Sequence, residues 1–172
     1  MDSWFEIADL NYARSDASAV AYNGKIYIAG GINDANIEAS VEVYYPEANH
    51  WQLVKPMINP RTSFGMICYN DRIWAIGGNN GTGRLNLVES FDPNKDGSEW
   101  REEQALINGR STFRAINFND QLYVVGGYNG KQAVHIPELH QMTSLIYLQF
   151  LDLSQARIQF AAWRSMFQTK AG

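Results

Sequence analysis

Three short apolar segments of this chain each end in a pair of glycines. Their β-branched and aromatic residues favour β-strands that are buried on at least one face. The segments are Lys25–Ala29 before Gly30 and Gly31, Arg72–Ile76 before Gly77 and Gly78, and Gln121–Val125 before Gly126 and Gly127. Because glycine tolerates positive φ and close backbone approach, the pairs indicate tight packing at the end of each strand.

A second apolar run precedes each of these strands, at residues 17–22, 64–69 and 113–118. An Asn-Gly or Asn-Asp dipeptide separates the two runs, and both residue types accept the positive φ of a type I′ turn. The sequence therefore predicts three β-hairpins, with the first run as the innermost strand. A third strand is predicted within residues 41–46 and 88–93, where Pro46 or Pro93 ends it, and a fourth, outer strand carries Trp51 or Trp100.

The same landmarks recur at a near-constant period. The glycine pairs recur after 47 and then 49 residues. The same two steps separate Arg14, Arg61 and Arg110, and also Trp4, Trp51 and Trp100. A period near 50 with paired glycines and a later tryptophan is typical of a kelch repeat, which supplies about one four-stranded blade of a β-propeller. We therefore predict an all-β fold built of kelch repeats.

From residue 4 to about residue 133 the chain resembles the kelch region of the kelch-like (BTB-kelch) family. The stretch 14–19, before the first Asn-Gly turn, also resembles this family rather than the kelch-fold oxidases. The resemblance implies a non-catalytic module that recruits substrates to cullin-RING ubiquitin ligases. The 172 residues include no BTB domain, so a cullin complex is expected only through a BTB-containing protein.

The third repeat departs from the pattern. A Val-Glu pair is expected about ten residues after Gly127, but Pro137 and Glu138 stand there, and no tryptophan occurs near 147–149. With Trp4 to Ala8 predicted as an orphan outer strand, the strands amount to about two and a half blades, whereas propellers close with four to eight. The resembled family usually has six blades, so we expect an incomplete propeller arc.

These patterns divide the chain into two regions. Residues 1–133 are assigned to kelch repeats, with blade units at about 14–54, 61–103 and, in part, 110–133. Residues 134–172 form a divergent tail, in which Glu138 to Gln168 contains neither proline nor glycine. That composition predicts a helix, and its apolar residues could cover the third repeat.

Composition narrows the classes of function. The chain has 14 basic and 18 acidic residues and a net charge of −4, so it offers no basic stripe for phosphates or acidic lipids. No apolar run approaches the roughly 18 residues of a membrane span, and residues 1–6 lack the features of a signal peptide. Cys68 is the only cysteine, which fits a reducing compartment. We predict a cytoplasmic protein that binds neither nucleic acid nor membranes.

Residues that recur in every period serve each blade, so the repeating arginines, glycine pairs and tryptophans are interpreted as structural. The arginines could pair with Glu42 and Glu89 between adjacent blades. A unique binding site must instead use positions that differ between repeats.

In the resembled family, partner peptides bind loops that join the second and third strands, and the entry to each inner strand. Asparagine, tyrosine and arginine suit such a role because they combine directional hydrogen bonds with flat contact area. The matching positions here are Asp16, Ser63 and Thr112 at the entries, and Ile32, Asn33, Asp34, Asn36, Asn79, Asn80, Arg84, Tyr128, Asn129 and Lys131 in the loops.

Catalytic constellations are absent from the sequence. His50, His135 and His140 do not stand at zinc-ligand spacing with Cys68, which lies inside an apolar run. Neither a nucleophile elbow nor a phosphate-binding loop occurs. We therefore expect no enzyme, cofactor or metal site. The alternatives are an actin-associated kelch protein and, from a different class, a kelch-fold enzyme.

Overall fold

Each repeat folds into one antiparallel sheet. The structure is a computed structural model, and it describes residues 2–34, 36–134 and 137–140. Within these residues every regular element is a β-strand, apart from one short 3-10 turn. The all-β fold that the sequence predicts is confirmed.

The first sheet contains four strands in the spatial order β1, β2, β5 and β6. A small separate hairpin, β3 with β4, lies between the second and third of these along the chain. The bounds are β1 (Ser18–Tyr22), β2 (Lys25–Ala29), β3 (Ile32–Asn33), β4 (Asn36–Ile37), β5 (Val41–Tyr45) and β6 (His50–Val54). Asn23 and Gly24 join β1 to β2 with φ values of 49° and 73°, as a type I′ turn requires.

The second sheet repeats this order with four strands, and the third sheet has three described strands. The second contains β7 (Gly65–Tyr69), β8 (Arg72–Ile76), β9 (Val88–Phe91) and β10 (Arg101–Glu103), and the third contains β11 (Arg114–Phe118), β12 (Gln121–Val125) and β13 (Glu138–His140). The Asn-Asp turns between their first two strands have φ values from 48° to 54°. The three predicted hairpins and the two four-stranded blades are thus confirmed.

The sheets pack face to face, and their first strands lie together. Strand β1 contacts β7, and β7 contacts β11, so these strands are innermost. The core between the first two sheets is built mainly from Tyr27, Val41, Val43, Phe64, Ile73, Phe91 and Trp100. The core between the second and third sheets is built mainly from Trp74, Ile76, Val88, Phe113, Leu122 and Val124.

A buried arginine–glutamate pair lies in each repeat. Arg14 Nη2 donates to Glu42 Oε1 at 2.7 Å, with both side chains fully buried. Arg61 pairs in the same way with Glu89, and Arg110 with Glu138. Each glutamate follows its arginine by 28 residues, so the pairs lie within repeats and the interpretation that they bridge adjacent blades is wrong.

The glutamates also accept bonds from the backbone that enters each blade. Glu42 accepts hydrogen bonds from the amides of Asn11 and Tyr12 at 2.8 and 3.2 Å, and Glu89 accepts from the amides of Ile58 and Asn59. Burial by itself would raise the pKa of the Glu42 carboxyl, but the bonds from Asn11, Arg14 and Tyr12 outweigh it and hold that pKa below its ordinary value. Each pair therefore fixes the connection from one blade to the next.

Two predicted elements differ in the structure. Residues 4–8 do not form a strand. Instead, the Ala8 carbonyl accepts a hydrogen bond from Trp51 Nε1 at 2.9 Å. Glu138 to His140, predicted as the start of a helix, form a strand because β12 offers them a free edge, so the third sheet continues past residue 133. The rest of the predicted helix lies outside the described residues.

Candidate partner-binding surface

The residues at the entry to the innermost strands lie side by side along one edge of the sheets. The amide of Ser63 donates to the Asp16 carbonyl at 3.0 Å, and the amide of Thr112 donates to the Ser63 carbonyl at 2.9 Å. All three have φ between 51° and 54°. Backbone hydrogen bonds thus join the three entries into one continuous row.

A second row runs parallel to the first. It consists of the residues that follow each glycine pair, namely Ile32, Asn79 and Tyr128, and each is bridged to the residue before an entry position. Thr62, for example, exchanges backbone hydrogen bonds of 2.9 Å with Asn79. Because both rows lie at one edge, the structure brings the predicted entry and loop positions together. We call this surface the loop edge, formed by Asp16, Asn33, Asp34, Asn36, Ser63, Asn79, Asn80, Arg84, Thr112, Tyr128, Asn129 and Lys131.

The loops that follow the second row contact one another from repeat to repeat. In the first repeat this loop is the β3–β4 hairpin, which carries Asn33, Asp34 and Asn36. A Cβ built on Gly81 would lie 3.3 Å from Ile37 Cδ1, so the second loop lies against the hairpin. The second loop also contacts the third through Arg84. These contacts make the loop edge one continuous surface.

Arg84 joins the second and third repeats. Its guanidinium lies over the Tyr128 ring, 5.2 Å from the ring centroid. The Tyr128 hydroxyl donates to the Gly130 carbonyl at 3.0 Å, which holds the ring in place. Arg84 Nε is buried and has no hydrogen-bond acceptor among the described residues. The guanidinium is therefore held in position while part of its donor capacity stays unused within the described chain.

Two of the loop asparagines shape their own loops. Asn80 Oδ1 accepts hydrogen bonds from the amides of Thr82 and Gly83 at 3.1 and 3.0 Å. Asn129 Oδ1 accepts from the amides of Lys131 and Gln132 at 2.9 Å each. These oxygens fold the loops and so position the side chains that follow them.

Charge is distributed unevenly along the loop edge. Its first part carries the exposed carboxylates of Asp16 and Asp34, whereas its last part carries the half-buried Arg84 and the exposed Lys131. Neither basic group forms an ion pair with a carboxylate among the described residues. The edge therefore changes from acidic to basic from the first repeat to the third.

The described residues offer little material for metal or nucleophilic chemistry. They contain no group of three or more histidine, cysteine, aspartate or glutamate side chains placed to hold a metal ion. Burial raises the pKa of the Cys68 thiol, with a smaller contribution from Asp71, so this group stays protonated at neutral pH. Among the same residues no helix has the length and apolar character of a membrane span.

Two relationships were missed from the sequence. The constant spacing of 28 residues from arginine to glutamate identifies Glu138 as the third partner, but the proline at 137 obscured it. The contact of Arg84 with Tyr128 joins different repeats and leaves no local signal in the sequence.

Three sheets packed face to face around adjacent inner strands define a β-propeller. Two matches to the kelch motif cover residues 13–58 and 60–104, just over half of the chain. The chain therefore belongs to the kelch-motif family.

Known proteins with related sequences and folds support this assignment. The influenza virus NS1A-binding protein of Homo sapiens is 36% identical over 75 residues, which are 44% of this chain and 12% of that protein. Kelch-like protein 40 of Xenopus laevis is 31% identical over 75 residues, again 44% and 12% of the two chains. The solved structure of YjhT matches with a TM-score of 0.62 and 17% identity, over 69% of this chain and 45% of that one. The chain thus corresponds to a small part of these relatives and to just under half of the solved propeller.

Proposed function

We propose that this protein is a non-catalytic interaction module that binds a protein or peptide partner on the loop edge. The observation that carries this proposal is the continuity of that edge. The same backbone hydrogen bonds recur between successive repeats and hold together side chains that differ from repeat to repeat. A rigid scaffold that presents variable loops is the usual basis of a recognition surface. The name of the NS1A-binding relative, which refers to a protein partner, supports the same class of function.

The charges on the loop edge indicate the chemistry of the partner. An extended peptide that crosses all three repeats would meet Asp16 and Asp34 at one end and Arg84 and Lys131 at the other. Arginine binds carboxylates through paired hydrogen bonds, and its stacking on Tyr128 reduces the entropy lost on binding. We therefore expect a peptide with a basic segment over the first repeat and an acidic segment over the third.

The test is selection of peptides from a displayed random library, followed by calorimetry with the synthetic peptides that bind. Alanine at Asp16, Asn33, Asn80 and Asn129 should weaken binding at least about tenfold, because interfacial hydrogen bonds are lost and because the oxygens of Asn80 and Asn129 no longer fold their loops. Melting temperatures should change little. Gln52→Ala, an exposed change on outer strand β6, is the matched control and should leave affinity unchanged. Selected peptides that bind the loop-edge variants as tightly as the original chain would contradict the proposal.

The finer role that we propose is substrate recruitment to a cullin-based ubiquitin ligase, in the cytoplasm, through a partner that carries a BTB domain. The similarity to kelch-like protein 40 supports this role. Co-purification of the chain with a cullin should require co-expression of a BTB-containing kelch protein. If the chain instead pellets directly with filamentous actin, the actin-associated alternative is favoured. Stoichiometric copper in the purified protein would favour the kelch-fold enzyme.

A further inference from the structure

The two ends of the described arc expose faces of a kind that are buried inside it. Where the first sheet meets the second, the trailing face of one packs on the leading face of the other. The trailing face consists of Val20, Tyr22, Tyr27 and Ala29, and the leading face consists of Phe64, Met66, Ile73 and Ala75. Two periods after the trailing face of the first sheet, the trailing face of the third sheet includes Ile116, Tyr123 and Val125. One period earlier, the leading face of the first sheet consists of Ala17, Ala19, Ile26 and Ile28.

Both of these terminal faces are apolar and partly exposed. Ile26 is 37% exposed on the leading face of the first sheet, and Ile116 is 45% exposed on the trailing face of the third. Inside the arc, Ile73, the counterpart of Ile26, is fully buried, and Ile67, the counterpart of Ile116, is half-buried. The exposed trailing face of the third sheet and the exposed leading face of the first sheet therefore correspond to the two faces that pack on each other between the first and second sheets.

The surroundings of the first glycine of each pair also show that the third sheet has no following blade among the described residues. A Cβ built on Gly30 would lie 2.3 Å from the carbonyl oxygen of Arg61, and one on Gly77 would lie 2.7 Å from that of Arg110. At Gly126, the third member of the series, no described atom lies within 4 Å. The space beside Gly126 fits the carbonyl of an arginine that begins another repeat. In the first repeat that arginine is Arg14.

The third sheet also lacks a described fourth strand, while the chain has a spare segment of outer-strand sequence. Trp4 precedes Trp51 by the same period that relates the outer strands, and its side chain is fully exposed. Trp51 Nε1 donates to the Ala8 carbonyl, just as Trp100 Nε1 donates to the Lys55 carbonyl of the preceding blade. Ala8 therefore takes the place of Lys55, the residue just after an outer strand, and residues 4–7 correspond in the repeat to residues 51–54 of β6.

We propose that a second copy of this chain closes the arc. Two chains placed head to tail would pack the trailing face of each third sheet on the leading face of the partner copy's first sheet. Residues 4–8 of each chain would form the fourth strand beside β13 of the other. The ring would then contain six sheets, within the range at which propellers close. Such a heterologous contact gives a closed ring when the rotation closes, and two such arcs would account for nearly all of the solved propeller that matches this chain.

Sedimentation equilibrium of the full chain tests this proposal. The expected mass is twice the 19.5 kDa of one chain. Ile26→Lys and Ile116→Glu each place a charge on one terminal face, so each alone should weaken association at least about tenfold. Because a ring formed by one chain of each variant has one interface with both charges and one with neither, mixing the two variants should restore the dimer. Ile107→Lys, at a 79% exposed residue in the connection between the second and third sheets, is the matched control and should leave the mass unchanged.

Phe5→Pro tests the exchanged strand. Proline removes an amide that a strand would use, so association should fall at least about tenfold. The melting temperature of the monomer should stay unchanged because residue 5 is outside the described sheets. The proposal would be overturned if the wild-type chain is monomeric at about 100 μM, where even a weak dimer forms, or if it forms a series of larger assemblies. It would also be overturned if both charged variants still dimerise as the wild type does, or if mixing them does not restore the dimer. Unchanged association of Phe5→Pro would overturn the exchanged strand.

Discussion

The amide of Gly31 donates a hydrogen bond of 2.9 Å to the carbonyl oxygen of Arg61, which begins the next blade. The side chain of Arg61 pairs with Glu89 inside its own blade. One residue thus connects two blades through its backbone and anchors one blade through its side chain. Gly78 and Arg110 repeat the arrangement at 2.8 Å.

Gly77→Ala should destabilise the protein far more than Gly126→Ala. Both residues have positive φ, 56° and 74°, so both changes cost about 1–2 kcal/mol of backbone strain. At Gly77 the new methyl group would also approach the Arg110 carbonyl to 2.7 Å and the Phe113 ring to 2.9 Å, which adds about 1–3 kcal/mol. Urea unfolding at a concentration where the chain is monomeric would measure the difference. If both variants lose the same free energy of unfolding, the close contact with the next blade is not the reason for glycine at position 77.

Arg61→Ala should lower the free energy of unfolding by about 3–5 kcal/mol because it leaves the buried carboxylate of Glu89 without its partner. Arg84→Ala is the matched control. Its main contact among the described residues is with the Tyr128 ring, so the loss should stay near about 0.5–1 kcal/mol. Calorimetric melting of both variants checks this expectation. Similar losses in the two would show that the separation of scaffold arginines from the loop edge is wrong.

Trp100→Phe should cost about 1 kcal/mol because the indole loses its 3.0 Å hydrogen bond to the Lys55 carbonyl. Trp51→Phe should cost a similar amount through the bond to Ala8 and should also speed amide exchange at Ala8, whose own amide bonds to Asn49 Oδ1. Trp4→Phe provides the control because that side chain is fully exposed in a single chain. If Trp4→Phe destabilises the monomer as much as Trp100→Phe, the predicted role of the indole bond fails.

Stability should fall on acidification in a way that depends on Glu42. The folded protein holds the pKa of this carboxyl below its ordinary value, so the unfolded chain takes up the proton first as the pH falls. The contribution of Glu42 is complete well above about pH 4.3, the ordinary glutamate pKa, and is lost as the pH falls through the lower folded value. Glu42→Gln should be less stable at neutral pH and show a flatter acid limb in urea titrations between about pH 5 and pH 3. An equally steep limb would rule out this role for Glu42.

The sequence by itself determined the elements of this protein. Short apolar runs bounded by turn residues predict the inner strands, Asn23 and Gly24 predict a turn that needs positive φ, and the constant period predicts the repeated blade. These features depend on local backbone preference and on which face of a strand is apolar, and both can be read within a few residues. The positions on the loop edge could also be located, because they depend on their place in the repeat.

The tertiary structure decided which distant residues meet. Arg61 and Glu89 pair within one blade, although the sequence allowed a bridge between blades. Glu138 continues the series as part of a strand because β12 offers a free edge, which outweighs the helical preference of the residues that follow it. Arg84 meets Tyr128 only because successive loops are brought side by side. Such contacts depend on how whole sheets pack, and a local pattern of residue types does not record that packing.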